Sequence, residues 1–456
     1  MNHEVVVPWE PLRRHLAGRR LTEKEIPFTE DILEAHVQAG YLKRSKGIIV
    51  NGAHTQCQRC GNYTSSLFGY YQSPLFTSTI CYCRHCLALG RISSITSLYS
   101  WNASPPSYDI PKTPLTWQGT LSKGQLHASN QVIQAIENQS SLLVWAVCGS
   151  GKTEVLFRGV ETALLAGKRV LIATPRTDVV KELAPRFQHV FPDVTQSALY
   201  GGQTKAIPTA PLIIATTHQV LRFYQAFDVV IVDEVDAFPY TYDESLQYGV
   251  KQAQKEDAAM ILLSATPSKA IRETPHLQVS RIARRYHGYD LPVPRLVWCG
   301  PWHKKLLKDL LPSKILKWIL DHHHRNAPAL VFVPSIRVLH QASAILQKHH
   351  ILHAAVHSSS SDRHQQVEAF RQAKIPVVLT TTILERGITI PKVDIAVIGA
   401  EADIFTEAAL VQMAGRVGRH KDFPSGDVVF FHYGKTMAMR SAVHHIKQMN
   451  AEEAGR

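Results

Sequence analysis

Apolar residues in this chain come in short blocks separated by amphipathic stretches, with few long runs of strict alternation. In the middle of the chain, residues 142–147, 169–173, 212–215, 229–232 and 259–263 each read as a buried strand. Helix-like stretches lie between them, among them 127–138, an amphipathic segment, and 154–165. The last third repeats the alternation: 329–333, 377–380, 395–398 and 428–431 as strands, 336–349 and 366–372 as helices. Strand and helix in alternation predict βαβ units and a parallel sheet, built twice. Prolines punctuate the chain where the pattern lapses. Pro105, Pro106, Pro111 and Pro114 predict a stiff linker, and Pro267, Pro275, Pro292, Pro294 and Pro301 a boundary between lobes. Ahead of these, 30–38 predicts a short helix with Ile32, Leu33 and Val37 on one face, and 48–50 a strand.

Composition adjusts this picture in three ways. The 456 residues suffice for two to four domains, and an apolar content of 45% is ordinary for a globular protein. No window approaches the roughly 18 uncharged apolar residues of a membrane span, and Met1-Asn2-His3-Glu4 begins no apolar signal core, so neither a membrane helix nor a secretory signal is expected. The net charge of +13 is concentrated after residue 290, where 21 Lys and Arg face 13 Asp and Glu. A polyanionic partner is the expectation.

Five of the seven cysteines fall between Cys57 and Cys86; Cys148 and Cys299 stand apart. Without a secretory signal, a metal site is favoured over a disulfide framework. Cys57-Gln58-Arg59-Cys60 and Cys83-Arg84-His85-Cys86 are two tight Cys-x-x-Cys knuckles whose thiolates can converge on one tetrahedral ion. Cys57, Cys60, Cys83 and Cys86 form the expected Zn²⁺ set, with Cys81 a spare thiol and His85 an alternative ligand. Four soft ligands close the shell, so the role would be structural. Arg59, Arg84 and Arg91, with Phe68, Tyr63, Tyr70 and Tyr71, suit single-stranded nucleic acid and an ordinary small core equally well. The His322–His324 and His349-His350 runs have no converging Cys or carboxylate and read as surface residues.

Ala146-Val147-Cys148-Gly149-Ser150-Gly151-Lys152-Thr153 follows a strand and opens a helix, the context that a phosphate loop requires. Ala146 stands where the general pattern has its first Gly. Backbone N–H groups of the turn and the helix N-terminus would face the triphosphate, Lys152 would reach the β/γ-phosphates, and Thr153 would hold Mg²⁺. Gln125, upstream, offers an amide that can read an adenine edge. The run 229–232 delivers Asp233-Glu234-Val235-Asp236 to a strand's carboxyl end, where Asp233 would serve Mg²⁺ and Glu234 the attacking water. Ser264-Ala265-Thr266 ends another strand and can relay hydrogen bonds away from the nucleotide. Gln412-Met413-Ala414-Gly415-Arg416-Val417-Gly418-Arg419 carries two arginines on one helical face, which can brace the γ-phosphate.

In this order, Gly149 to Thr153, Thr174-Pro175-Arg176, Asp233 to Asp236, Ser264 to Thr266, Thr381 to Gly387 and Gln412 to Arg419 resemble superfamily 2 helicases and translocases. The resemblance implies an α/β fold of two RecA-like lobes binding ATP, with Gly387 and Gln412 at the nucleotide and Asp236, Ser264 and Thr266 in coupling. It also implies backbone contacts to nucleic acid from Thr174, Pro175, Arg176, Gly202, Thr217, His218, Thr380 and Thr381. With the cysteine knuckles upstream, Gly90-Arg91, and Ile383 to Gly387 downstream, the chain resembles the ComFA family of late competence proteins over about residues 50–440. That family implies an ATP-driven translocase of single-stranded DNA in natural transformation. It would sit in the cytoplasm at the inner face of the membrane, with the DNA-uptake channel and other competence proteins as partners, and oligomerisation is left open. A primosome-like DNA or RNA helicase and a zinc-dependent DNA-binding adaptor without ATPase are the alternatives. The expected boundaries are an N-terminal segment 1–55, a zinc module 56–92, a Pro-rich linker 93–115, lobe 1 at 116–295, lobe 2 at 296–440 and a tail 441–456.

Overall fold

The computed structural model describes residues 8–51, 54–74, 78–202, 207, 209–360, 362–384 and 390–452. They fall into two compact units. The first comprises Met1–Thr120, His127–Val144 and Thr153–Ser280; the second, Leu121–Leu126, Trp145–Lys152 and Arg281–Arg456.

The first unit is built on most of a seven-stranded sheet. Its order across the sheet is Gln196–Leu199, Leu212–Thr216, Val170–Thr174, Phe227–Val232, Gln254–Ser264, Ser141–Ala146, Gln278–Ile282. Val170–Thr174 pairs in parallel with both Leu212–Thr216 and Phe227–Val232, in a register that sets Thr174 beside Thr216. All five residues of Val170–Thr174 are buried, as are all five of Leu212–Thr216. Strands covered on both faces need apolar side chains at every position, which is why they read as solid blocks.

The second unit holds a six-stranded sheet in the order Arg295–Trp298, Val428–His432, Asp394–Ile398, Ala329–Phe332, Val377–Thr380, His353–Val356. Each of its five neighbouring pairs is parallel. The expectation of two parallel-sheet lobes holds.

The N-terminal part is more ordered than its mixed composition suggested. Arg20–Thr22, Ser97–Trp101 and Leu42–Lys46 form an antiparallel sheet with Ser97–Trp101 in the centre. Helices Glu10–Leu16 and Glu30–Gln38 close it over a core of Leu12, Leu16, Leu21, Leu33, Leu42 and Tyr99. The linker expected at 93–115 therefore loses its beginning to a central strand, whose burial of Leu98 and Tyr99 outweighs the nearby prolines. The tail expected at 441–456 is in its described part the end of a helix, Met437–Glu452, which buries Ala442, Ile446 and Met449.

The cysteine knuckles do not stand off as a separate bead. Cys57, Cys60, Cys83 and Cys86 share one apolar core with Leu221, Tyr240, Leu246 and Val250. Arg20 donates to the Gln58 carbonyl and the Gln252 side chain. The Glu25 carboxylate receives Arg59, the Arg222 Nε at 3.0 Å and the Thr22 backbone at 3.0 Å. Burial alone would raise the pKa of Glu25; Arg59 and these hydrogen bonds hold it below the usual carboxylate value. Arg59 is buried and committed to this pair, so it does not present a charge to a phosphate backbone. The histidine runs need a similar correction. His322 is buried, with one ring nitrogen 2.7 Å from the Trp318 carbonyl and the other 2.9 Å from Asp394. His349 and His350 are exposed as expected.

Candidate functional site

The Ser141–Ala146 strand carries the chain into a turn, and helix Lys152–Leu165 follows. Gly149 and Gly151 take φ of 81° and 73°, the left-handed region open to glycine without strain. Ala146 is fully buried as the last residue of the strand, so a side chain there points into core rather than at a ligand. Lys152 makes no side-chain hydrogen bond or ion pair among the described residues, and the Ser150 hydroxyl is buried without a partner among them. Free donors beside a helix N-terminus are what a polyphosphate requires, so the turn fits the nucleotide it was expected to hold.

Gln125, the residue expected at an adenine edge, lies against the phosphate turn. Its amide nitrogen donates to the Ser150 carbonyl at 2.8 Å, and its oxygen accepts the Ser122 N–H at 2.8 Å. It therefore braces the phosphate turn from behind. Within the second unit, the same turn meets the Gln412–Arg419 block. Cys148 Sγ donates to Gln412 Oε1 at 3.0 Å. A Cβ on Gly415 would sit 2.4 Å from that of Cys148, so only glycine allows the approach. Arg416 is buried; Arg419 is half-buried and donates to the Gly415 carbonyl at 3.1 Å.

A third arginine at this place had no sequence signal. Arg285 is 1% exposed, and its two Nη groups donate to the carbonyls of Val417 and Gly418, each at 2.6 Å. Desolvation lowers its pKa to about 10. Tyr286 N–H binds the Gly149 carbonyl at 3.2 Å, so one short segment grips both the phosphate turn and the turn between Arg416 and Arg419. Arg285 stands in a loop without a motif, and only tertiary contact reveals it.

In the first unit, Thr153 Oγ1 accepts a 3.4 Å hydrogen bond from Arg186, whose other nitrogen pairs with Glu154 at 2.5 Å. Arg186, too, escaped sequence reading, because it lies within an ordinary amphipathic helix, Thr177–Val190. Asp233 continues from the Phe227–Val232 strand, and its carboxylate receives the Glu234 N–H at 2.9 Å. Glu234 has φ of 56°, a left-handed conformation costing roughly 1–2 kcal/mol in a non-glycine residue. Asp236 collects both expected coupling hydroxyls. Ser264 Oγ donates to one carboxylate oxygen and Thr266 Oγ1 to the other, each at 2.6 Å.

The expected nucleic-acid positions lie at or after the carboxyl ends of parallel strands, where open α/β sheets bind ligands. Thr174, Thr217 and Thr380 are fully buried. Pro175 is also buried, and Arg176 is paired with Asp178 at 3.2 Å. Gly202 and His218 are exposed, and Thr381 is half-buried. Gly387, with Glu385 and Arg386, lies outside the described residues.

The thiols of Cys57, Cys60, Cys83 and Cys86 all lie within 4.8 Å of one another. Cys57 and Cys86 are 3.7 Å apart, Cys60 and Cys83 3.6 Å. A tetrahedron with metal–sulfur bonds of about 2.3 Å has sulfur edges of about 3.8 Å. The four thiols therefore fit one ion of that kind. Cys81 is outside the cluster, and His85 turns to Asp243 at 3.3 Å.

Three family models match the chain: the competence protein ComFA N-terminal domain over residues 7–100, the DEAD/DEAH box helicase over 127–274, and the helicase conserved C-terminal domain over 305–421. Competence protein ComFA of Bacillus subtilis (strain 168) is 46% identical, over 96% of this chain and 95% of its own. Its counterpart in Streptococcus pneumoniae is 37% identical over 95% and 98%. Among solved structures, Mycobacterium smegmatis helicase Lhr bound to ssDNA and AMP-PNP aligns with a TM-score of 0.52 at 20% identity, covering 73% of this chain and 50% of that one. RecG bound to a three-way DNA junction aligns at 0.51 and 18%, covering 74% and 46%. At these identities the two structures speak for the fold alone.

Proposed function

Because the chain belongs to the ComFA family of competence proteins, we propose that it is the ATP-driven motor that pulls single-stranded DNA during natural transformation. It is an ATP-hydrolysing helicase of superfamily 2; the strand it pulls and its cellular setting are the proposal. The observation that supports a motor most is at Asp236. Ser264 and Thr266 tie the strand end at 264–266 to the segment that carries Asp233 and Glu234. Any movement of the hydrolytic acids is thereby handed to a neighbouring sheet end.

Bound ATP with Mg²⁺ would supply the hydrolysable γ-phosphoryl group. Lys152 and the turn amides hold the phosphates, and Thr153 and Asp233 are the oxygen donors for the metal. Glu234 orients or deprotonates the attacking water. Arg416 and Arg419 face the charge that develops on the γ-phosphate. Backbone groups around Thr174, Pro175, Arg176, Gly202, Thr217, His218, Thr380 and Thr381 grip the strand without reading its sequence. Cys57, Cys60, Cys83 and Cys86 hold a structural Zn²⁺.

No described helix is long and apolar enough to cross a membrane. The proposed setting is the cytoplasmic face of the membrane, beside the DNA-uptake channel and other competence proteins. The proposed domains keep lobe 1 at 116–295 and lobe 2 at 296–440. ATPase activity measured with single-stranded DNA, duplex DNA and RNA tests the substrate, and single-stranded DNA is expected to stimulate most. Glu234→Gln is expected to abolish the stimulated turnover while ATP still binds; a variant that keeps it removes Glu234 from the role of base.

A further inference from the structure

An open cleft of about 650 Å³ lies within the first unit, between the knuckle at Cys60 and the segment that follows Asp236. Tyr63, Leu67 and His85 line one side, and Phe238 and Tyr242 the other. Three of these rings are turned to solvent: Tyr63 is 67% exposed, Phe238 74% and Tyr242 77%. A large aromatic side chain normally buries 150–250 Å². Three left open around one concavity mark a binding surface rather than a failure of packing.

The rings are held on a fixed backbone. Asp243 caps the helix Glu244–Ala253 through the Ser245 and Leu246 N–H groups. Gln247 donates to the Tyr240 carbonyl at 2.9 Å, and Val235 N–H binds the Leu263 carbonyl at 3.1 Å. Across the cleft, Tyr63 OH donates to Glu244 at 3.0 Å, and His85 pairs with Asp243. The knuckle and the segment after Asp236 are thus joined by direct contacts.

Charge selects the part of a nucleic acid that fits. Asp243 and Glu244 line the cleft and repel phosphate, so a polyanionic backbone is excluded from its floor. Flat, weakly polar nucleobases are not, and base stacking on aromatic rings is tolerant of sequence. His218, one of the proposed backbone contacts, lies close enough to feel both Asp243 and His85. A backbone gripped at the exposed His218 would therefore have its bases beside this cleft.

We propose that Phe238 and Tyr242, with Tyr63 of the knuckle, form a stacking site for unpaired bases of the translocated strand, an inference that rests on the single-strand reading above. Phe238 and Tyr242 follow Asp236 by two and six residues. The ring positions are consequently tied to the carboxylate that Ser264 and Thr266 hold, and the knuckle supplies the opposite wall.

The test uses the full chain, oligo(dT) and an abasic oligonucleotide of equal length, with binding followed by fluorescence anisotropy over a range of salt. Phe238→Ala and Tyr242→Ala alter exposed rings, and circular dichroism checks that each variant is folded. Each substitution is expected to weaken oligo(dT) binding by about 5- to 100-fold. The slope of log affinity against log salt should stay as in the unsubstituted protein, because no phosphate contact is removed. The unsubstituted protein should lose similar affinity for the abasic strand, and the variants little further. Variants that bind oligo(dT) within twofold of the unsubstituted protein overturn the stacking site and leave the translocase reading intact. An unsubstituted protein that does not bind oligo(dT) overturns both.

Discussion

Arg285 gives the sharpest quantitative prediction. Its guanidinium is buried and reaches two carbonyls, Val417 and Gly418, at 2.6 Å each. Those carbonyls form the turn between Arg416 and Arg419. Hydrogen bonds from a charged donor contribute about 1.5–3 kcal/mol apiece. Arg285→Met removes both, so about 3–6 kcal/mol of restraint on the turn is at stake. Since about 1.4 kcal/mol is a factor of ten in rate, the ceiling on lost turnover is roughly 10²–10⁴-fold. Part of the restraint survives, because His287 also lies 3.0 Å from the Gly418 carbonyl. A fall in kcat of about 10- to 100-fold is therefore expected, with the KM for ATP little changed, because Arg285 holds the turn between Arg416 and Arg419. Arg285→Lys, which keeps the charge but cannot span two carbonyls, should fall between. The assay is steady-state ATPase at saturating single-stranded DNA, with thermal melting as a control. A folded Arg285→Met protein with kcat within twofold of the unsubstituted enzyme would refute the positioning role.

Ser264→Ala and Thr266→Val should each lower DNA-stimulated turnover, and the double variant should be less than additive because both hydroxyls act through Asp236; full additivity would separate them. Cys83→Ser should reduce bound zinc measured by mass spectrometry and lower the melting temperature, because the thiols share a core with Leu246 and Val250; unchanged metal content would contradict the ligand set. His353 is predicted to confer acid sensitivity. Burial lowers its pKa and outweighs the hydrogen bond to the Ile351 carbonyl at 2.8 Å, which acts the other way; the second ring nitrogen lies 2.7 Å from Ser343 Oγ. Its folded pKa lies below the unfolded value near 6.5, so its contribution is intact above that pH and fades as pH falls from there through the folded pKa. Melting temperature measured from pH 7.5 to 5 should drop less in His353→Gln, and equal slopes would dismiss the histidine.

Much of the site was legible because its chemistry requires contiguous residues. A phosphate turn needs Gly149 to Thr153 in order, and two knuckles need cysteines three apart; both survive as local patterns whatever surrounds them. The central strands were equally plain, because burial on both faces demands unbroken apolar blocks. Within the two parallel sheets, the four strands that the pattern missed, Gln196–Leu199, Gln278–Ile282, Arg295–Trp298 and His353–Val356, are the four edges. An edge strand is covered incompletely and carries polar residues that blur its period.

The chain alone therefore determined the fold class and the cysteine set, and singled out the residues proposed for hydrolysis, since each depends on short-range order along the backbone. Tertiary structure decided where separate segments meet. It buried Arg59 and His322, bonded Gln125 to the Ser150 carbonyl, brought Arg285 to the turn that carries the arginines, and set the Cys60 knuckle against Phe238 and Tyr242. The physical reason is that a side chain's burial and partners depend on neighbours distant in sequence, and no local pattern encodes them.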